Sequence, residues 1–108
     1  MKKLSAEQIQ MNWETLMDII NKHISGDRKE NLLKMYDDFK ERMMFAPASA
    51  KGAYHNAMPG GYVEHILHII NHSLELKELW EKNGAMINFT DEELVFAAMH
   101  HDLGKVGD

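Results

Sequence analysis

Cysteine is absent from the 108 residues of this chain, and proline occurs only twice. Without cysteine the chain can form neither a disulfide nor a thiolate metal site, which is compatible with a reducing compartment. From Ser5 onwards polar residues interrupt the apolar stretch that a signal peptide needs. No apolar run approaches the roughly 20 residues of a transmembrane helix. We therefore expect a cytoplasmic protein with no membrane partner.

Basic residues are also scarce. The chain has 12 lysines and arginines against 17 aspartates and glutamates, so its net charge is −5. Broad binding of nucleic acid requires a basic surface, and we expect no extensive nucleic-acid interface. A small basic pocket for one phosphate remains compatible with this charge. The length and the 44% hydrophobic content indicate one soluble domain, residues 1–108.

Alternating β patterns are missing, whereas apolar residues recur at helical spacing, which predicts an all-α bundle of about four main helices. The first helix begins at Ser5, which has capping-box spacing to Gln8, and ends at Ser25–Gly26, where the glycine can adopt a left-handed conformation. The second runs from Asp27 to Pro47, so residues 1–45 are expected to form a helical hairpin. The expected core residues of this hairpin are Ile9, Trp13, Leu16, Met17, Ile20, Ile24, Leu32, Leu33, Met35, Tyr36, Phe39 and Met43.

Two further helices are predicted in residues 46–108, after a long loop that ends at Gly61. The third helix runs from Tyr62 to about Lys82, and the fourth begins at Thr90, which has capping-box spacing to Glu93. The third is apolar around much of its girth and should be central. Its expected core stripe is Val63, Ile66, Leu67, Ile70 and Leu74, widened by Tyr62, Ile69, Leu76 and Trp80, and its expected polar strip is Glu64, Asn71, Glu75 and Glu78.

An adjacent histidine and aspartate, His101 and Asp102, close the fourth helix, and Gly104 and Lys105 follow them. Imidazole and carboxylate are ligands for divalent cations, and a lysine can hold a phosphoryl oxygen. The same residues also fit an ordinary helix end, with a histidine near the negative dipole end, a terminating glycine and a lysine on the last carbonyls. Composition and spacing leave both interpretations open.

A second candidate ligand, His65, lies one turn into the third helix, just after Gly60 and Gly61. Paired glycines allow a loop to approach a ligand closely, and a helix amino terminus favours an anion. The same pattern also fits a helix start that carries a chance histidine. His68 and His72 continue the stripe, either as ligands or as a polar margin beside the core.

Taken together, these residues resemble the HD-domain superfamily of metal-dependent phosphohydrolases. The resemblance rests on Gly60–His65, on His101–Lys105 and on the loop that carries Pro47–Ala50 and Tyr54–Gly61. This loop is similar to that of HD domains in the 3′–5′ exoribonuclease branch and in small phage proteins. The resemblance covers about residues 45–108 and implies the amino-terminal part of an HD fold.

The resemblance implies roles residue by residue. His65, His101 and Asp102 would bind a divalent metal ion (Mn, Fe, Zn, Ni or Mg), with Asp102 and Lys105 in the catalytic machinery. His55, together with the Gly60–Gly61 corner and Lys105, would bind the substrate, a phosphorylated small molecule or nucleotide. A diiron oxygenase of the same superfamily would need more histidine and aspartate ligands than this chain offers.

The family also carries an aspartate ligand on a later helix, and the 108 residues contain no counterpart. The expectation is therefore a truncated HD domain whose uncovered helix flanks associate in a homo-oligomer, with or without exchanged helices. Two functions follow as alternatives. One is a phosphomonoesterase or phosphodiesterase acting on nucleotides or nucleic-acid ends, and the other is a catalytically incomplete helical module with a structural or assembly role.

Overall fold

The computed structural model describes residues 3–47 and 58–101, and within these ranges it contains helices and no strand. The all-α prediction is therefore confirmed for the described part of the chain. None of the helices in these two ranges is long and apolar enough to cross a membrane. The five helices are α1 (Ala6–His23), α2 (Gly26–Asp38), α3 (Lys40–Phe45), α4 (Gly61–Lys82) and α5 (Asp91–His100).

Local sequence signals set the ends of α1. The Ser5 hydroxyl accepts a hydrogen bond from the Gln8 backbone N–H at 3.0 Å, which is half of the predicted capping box. The other half does not form, and the Gln8 side-chain amide N–H donates to the Asn12 side-chain oxygen at 2.8 Å. At the other end Ile24 is extended, and Gly26 has a φ of 63°. The predicted left-handed glycine is thus present, although Gly26 opens α2 rather than closing α1.

The predicted second helix is broken. Residue Phe39, with φ −111° and ψ 16°, separates α2 from α3, and its side chain is 48% exposed rather than buried. Asp37 and Asp38 end α2 without any basic residue in its last turn. Aspartate is a weak helix former and carboxylates are unfavourable at the negative end of a helix dipole, which explains a break at this point. The break turns Met43 and Met44 into the core.

The core lies between α1, α2, α3, the first half of α4 and the second half of α5. Aromatic contact supports it, since the rings of Trp13 and Tyr36 meet edge to face with centroids 5.9 Å apart. Met17, Leu33, Met35, Ile69 and Leu74 pack against it only partly buried. The buried hydrophobic residues of the helices are Ile9, Trp13, Leu16, Ile20, Leu32, Tyr36, Met43, Met44, Tyr62, Val63, Ile66, Leu67, Ile70, Val95, Ala98 and Met99.

Only the first half of α4 is central. Helix α4 contacts α1, α3 and α5, and every residue of its first turn is buried, including Glu64 at 8% exposure. The prediction that Glu64 lies on a polar, solvent-facing strip is therefore wrong. Helices α1, α3 and α5 surround this turn, so the side of the turn that carries Glu64 is enclosed as well. The second half of α4 contributes no buried residue, and the predicted core residues Leu76 and Trp80 are 45% and 50% exposed.

Helix α5 begins with the complete capping box that its sequence predicts. The Thr90 hydroxyl accepts from the Glu93 backbone N–H at 3.1 Å, and the Glu93 carboxylate accepts from the Thr90 backbone N–H at 3.0 Å. One ion pair and two hydrogen bonds then tie the helix to its neighbours. Lys77 Nζ of α4 lies 2.6 Å from the Asp91 carboxylate, and the Glu92 carboxylate accepts from the Ser25 backbone N–H and hydroxyl, both at 2.9 Å.

Candidate metal centre

The rings of His65 and His101 come together where α5 ends beside the start of α4. Their centroids are 5.8 Å apart and their planes are inclined by 49°. The two residues are 36 positions apart in sequence, so only the packing of α5 along α4 creates this proximity. His65 is half-buried and His101 is exposed, which leaves the pair at the edge of the bundle rather than within its core.

A backbone hydrogen bond orients the His101 ring. Its Nδ1 lies 2.8 Å from the carbonyl oxygen of Ala98. A carbonyl oxygen can only accept, so Nδ1 carries the proton and Nε2 carries the lone pair in the neutral ring. Histidine ligands in metal sites are commonly oriented in this way, through a hydrogen bond from the second ring nitrogen.

The neighbouring His100 has a different role. Its Nδ1 is 2.7 Å from the Phe96 carbonyl oxygen, and its Nε2 is 3.2 Å from the Tyr36 hydroxyl. Burial lowers the pKa of His100 below its usual 6.5, against the smaller opposite effect of the Phe96 carbonyl. Burial likewise raises the pKa of Tyr36, with a smaller contribution from Tyr62, so the hydroxyl keeps its proton and donates to a neutral imidazole. His100 thus joins α5 to α2, whereas the ring of His101 lies beside that of His65.

The start of α4 is fixed by backbone contacts. The Gly60 N–H donates to the Phe45 carbonyl at 3.2 Å, and the Gly61 N–H donates to the Met58 carbonyl at 2.9 Å. Gly60 has a φ of 84°, and a Cβ atom there would lie 2.7 Å from Ile9 Cγ1. Close packing on α1 therefore explains Gly60. A phosphate at this corner would have to displace the two carbonyls, and the substrate-binding role of Gly60 and Gly61 stays a prediction.

Three of the predicted site residues, His55, Asp102 and Lys105, lie outside the described residues. Asp102 follows His101 directly in the sequence. Within residues 3–47 and 58–101 no group of three or more histidine, aspartate or glutamate side chains is arranged to hold a metal. The described part of the centre is therefore the pair of imidazoles.

Two features near this centre escape a reading of the sequence alone. The burial of Glu64 cannot be inferred from helical periodicity, which assigns it to the polar strip. The contact between His100 and Tyr36 joins residues 64 positions apart, and no local pattern distinguishes His100 from His101. His68 and His72, in contrast, are recognisable in the sequence from their helical spacing. Their exposed rings stack with centroids 6.3 Å apart and an interplanar angle of 19°.

Comparisons with known proteins give no relative. No protein-family model matches the chain, and neither the curated proteins nor the solved structures contain a significant match.

Proposed function

We propose that the chain is a metal-dependent phosphohydrolase whose divalent cation is held by His65, His101 and Asp102. The substrate class is a phosphate monoester or diester of a nucleotide or a nucleic-acid end. The proposal draws its motif from the HD resemblance, and one observation carries it: the imidazoles of His65 and His101 approach to 5.8 Å between centroids.

The residues fit a divalent cation in distance and in chemistry. With about 2.1 Å between metal and nitrogen, two imidazoles that share one ion have ring centres about 5 Å apart. The observed separation is slightly larger, and a small side-chain rotation of His65 or the exposed His101 closes the difference. The bond from His101 Nδ1 to the Ala98 carbonyl directs the lone pair to Nε2, and a carboxylate next in sequence supplies the harder ligand.

The chemistry divides among the chain's own residues. A divalent cation in such a site supplies a Lewis acid that polarises a phosphoryl oxygen and acidifies water near neutral pH. Lys105, three residues after Asp102, is assigned to the charge on the phosphate. His55 is assigned to the phosphate or the leaving group. His100 keeps α5 in register through Tyr36, so the proposal gives it a structural role.

Metal content and hydrolysis of a chromogenic phosphate ester, measured with Mn²⁺, test this function. His101→Gln and Asp102→Asn should each lower the hydrolysis rate more than about 100-fold, since even residues that only support metal ligands contribute 10–100-fold. His23→Gln, a histidine at the far end of α1, is the control and should leave the rate unchanged. Lys105→Met should weaken phosphate binding without reducing metal content. Hydrolysis that persists in both ligand variants would rule out this function.

An assembly function is the second candidate, because exposed apolar side chains are concentrated on the second half of α4 and the segment after it. Trp80 is 50% exposed and Met86 is 92% exposed. The distal apolar surface comprises Leu76, Leu79, Trp80, Met86 and Phe89. Concentrations of exposed apolar side chains are typical of association sites, and this surface suits the homo-oligomer that the sequence suggests.

Sedimentation velocity over a range of protein concentrations tests the assembly function. Trp80→Glu should convert an oligomer to a monomer, because a charge at the interface is costly when buried. Met11→Gln changes an apolar residue of α1 that is 59% exposed and lies outside the distal apolar surface, so it should leave the oligomer intact. A wild-type chain that stays monomeric at every concentration would exclude this function.

A further inference from the structure

We propose that His68 and His72 form a second cation site, a two-histidine clamp on the exposed face of α4 that binds a borderline transition-metal ion such as Zn²⁺, Ni²⁺ or Cu²⁺. The two residues are separated by one helical turn. Their rings are nearly parallel, at 19°, and their centroids are 6.3 Å apart. Both side chains are exposed.

The spacing is the one that a helix needs to present two ligands to one ion. Residues at i and i+4 lie about 5–6 Å apart at Cβ on the same face. Histidine pairs with this spacing bind zinc in helical metalloprotease motifs. Two nitrogens about 2.1 Å from one ion in tetrahedral geometry are about 3.4 Å apart. The exposed rings reach this by tilting towards each other, a movement that side chains on a surface make readily.

The opposite face of the helix holds this pair in place. Ile66, Leu67 and Ile70 are buried in the core, so the helix that carries the two imidazoles is formed and anchored before any ion arrives. Preorganisation of this kind lowers the entropic cost of binding. The ordinary alternative is that both histidines are a polar margin between core and solvent, and such a margin has no preference for a metal.

The ligand types define the ion and the remaining coordination. Imidazole suits zinc, copper and nickel, whereas magnesium and calcium prefer oxygen ligands. Two protein ligands leave at least two positions of a tetrahedral ion for water or for a donor atom of a bound molecule. Because the clamp uses neither His65 nor His101, it stands independently of the proposed phosphohydrolase centre.

Zinc titration by calorimetry tests the clamp in the His65→Gln/His101→Gln background, which removes two ligands of the other centre. One zinc ion should still bind in this background. Adding His68→Gln or His72→Gln should lower the zinc affinity at least tenfold, and Mg²⁺ should not bind at the clamp in either case. Zinc affinity in the background that neither substitution changes would overturn the proposal.

A permuted variant provides the matched control. His72→Ser combined with Ser73→His keeps the composition but places the two histidines at i and i+5, about 140° apart around the helix at 100° per residue. Its zinc affinity should fall as far as that of His72→Gln, and an unchanged affinity would show that mere histidine content binds the ion.

The intact chain gives a second readout if the background variant does not fold. In its proton NMR spectrum the imidazole resonances of His68 and His72 should respond together at a single zinc concentration. Independent responses of the two rings would overturn the clamp. If His65 and His101 bind nothing, the phosphohydrolase proposal fails while the response of the clamp remains.

Discussion

Replacing Gly60 by alanine should destabilise the fold through two separate effects at the start of α4. Its φ of 84° is a left-handed conformation, which costs a residue with a Cβ atom about 1–2 kcal/mol. The added Cβ would also lie 2.7 Å from Ile9 Cγ1 and 3.2 Å from Leu4 Cδ1. Ile9 is β-branched and stiff at χ1, so it cannot easily move away. Overpacking of this kind typically costs about 1–3 kcal/mol.

The free energy of unfolding should therefore fall by about 2–5 kcal/mol in Gly60→Ala, a large share of the 5–15 kcal/mol typical of a domain. Gly84→Ala is the matched control. Gly84 has a similar φ of 90° but no atom within 4 Å of the added Cβ, so this variant should lose only the backbone part, about 1–2 kcal/mol. Urea unfolding followed by circular dichroism measures both.

A double-mutant cycle isolates the steric part. In an Ile9→Ala background the two atoms nearest to the new Cβ are gone, so the cost of Gly60→Ala should approach that of Gly84→Ala. Equal losses for Gly60→Ala and Gly84→Ala in the wild-type background would refute the argument that α1 packs directly against this corner.

Two further predictions concern the start of α5. The hydrogen bond from Lys77 is the main cause that lowers the pKa of Asp91 below its usual 3.8, so this carboxylate stabilises the fold above that pH and the stabilisation is lost as the pH falls through the lowered value. When urea unfolding is measured between pH 6 and pH 2.5, the free energy of unfolding of Asp91→Asn should fall less steeply with acidification than that of the wild type. An identical pH dependence in the two proteins would contradict the ion pair. Thr90→Ala should cost about 1 kcal/mol, as N-cap serines and threonines commonly do, because the Glu93 N–H loses its acceptor. Thr15→Ala should cost less, since Thr15 is exposed within α1 and its hydroxyl only donates back to the Met11 carbonyl of the same helix; equal losses in the two variants would count against the capping box.

Features that depend on short sequence separations were predictable. The Thr90 and Glu93 capping box is formed as its spacing indicates, since both bonds close within one helical turn. The buried stripe of α1 likewise follows from helical periodicity, with Ile9, Trp13 and Ile20 all in the core. The break at Phe39 was missed, because a run of apolar residues at helical spacing outweighs the weak local signal of two aspartates.

For the candidate metal centre, the sequence could identify possible ligands but not their arrangement. His100 and His101 are equivalent by composition, and the structure separates them: His100 contacts Tyr36, while the ring of His101 approaches His65. Which of two adjacent histidines turns inward depends on the rotation of α5 against its neighbours. No periodicity argument reaches that precision over a helix of ten residues.

The sequence by itself determined the helical class of this protein, most helix starts and the identity of the candidate ligands, because hydrogen bonds and apolar stripes within a few residues encode them. Tertiary structure alone decided that Glu64 is buried, that Gly60 must be a glycine for reasons of space, and that two imidazoles 36 positions apart meet. These outcomes depend on how α1, α4 and α5 pack together. Packing is a property of surfaces that come from distant parts of the chain, and local propensity carries no information about their final contact.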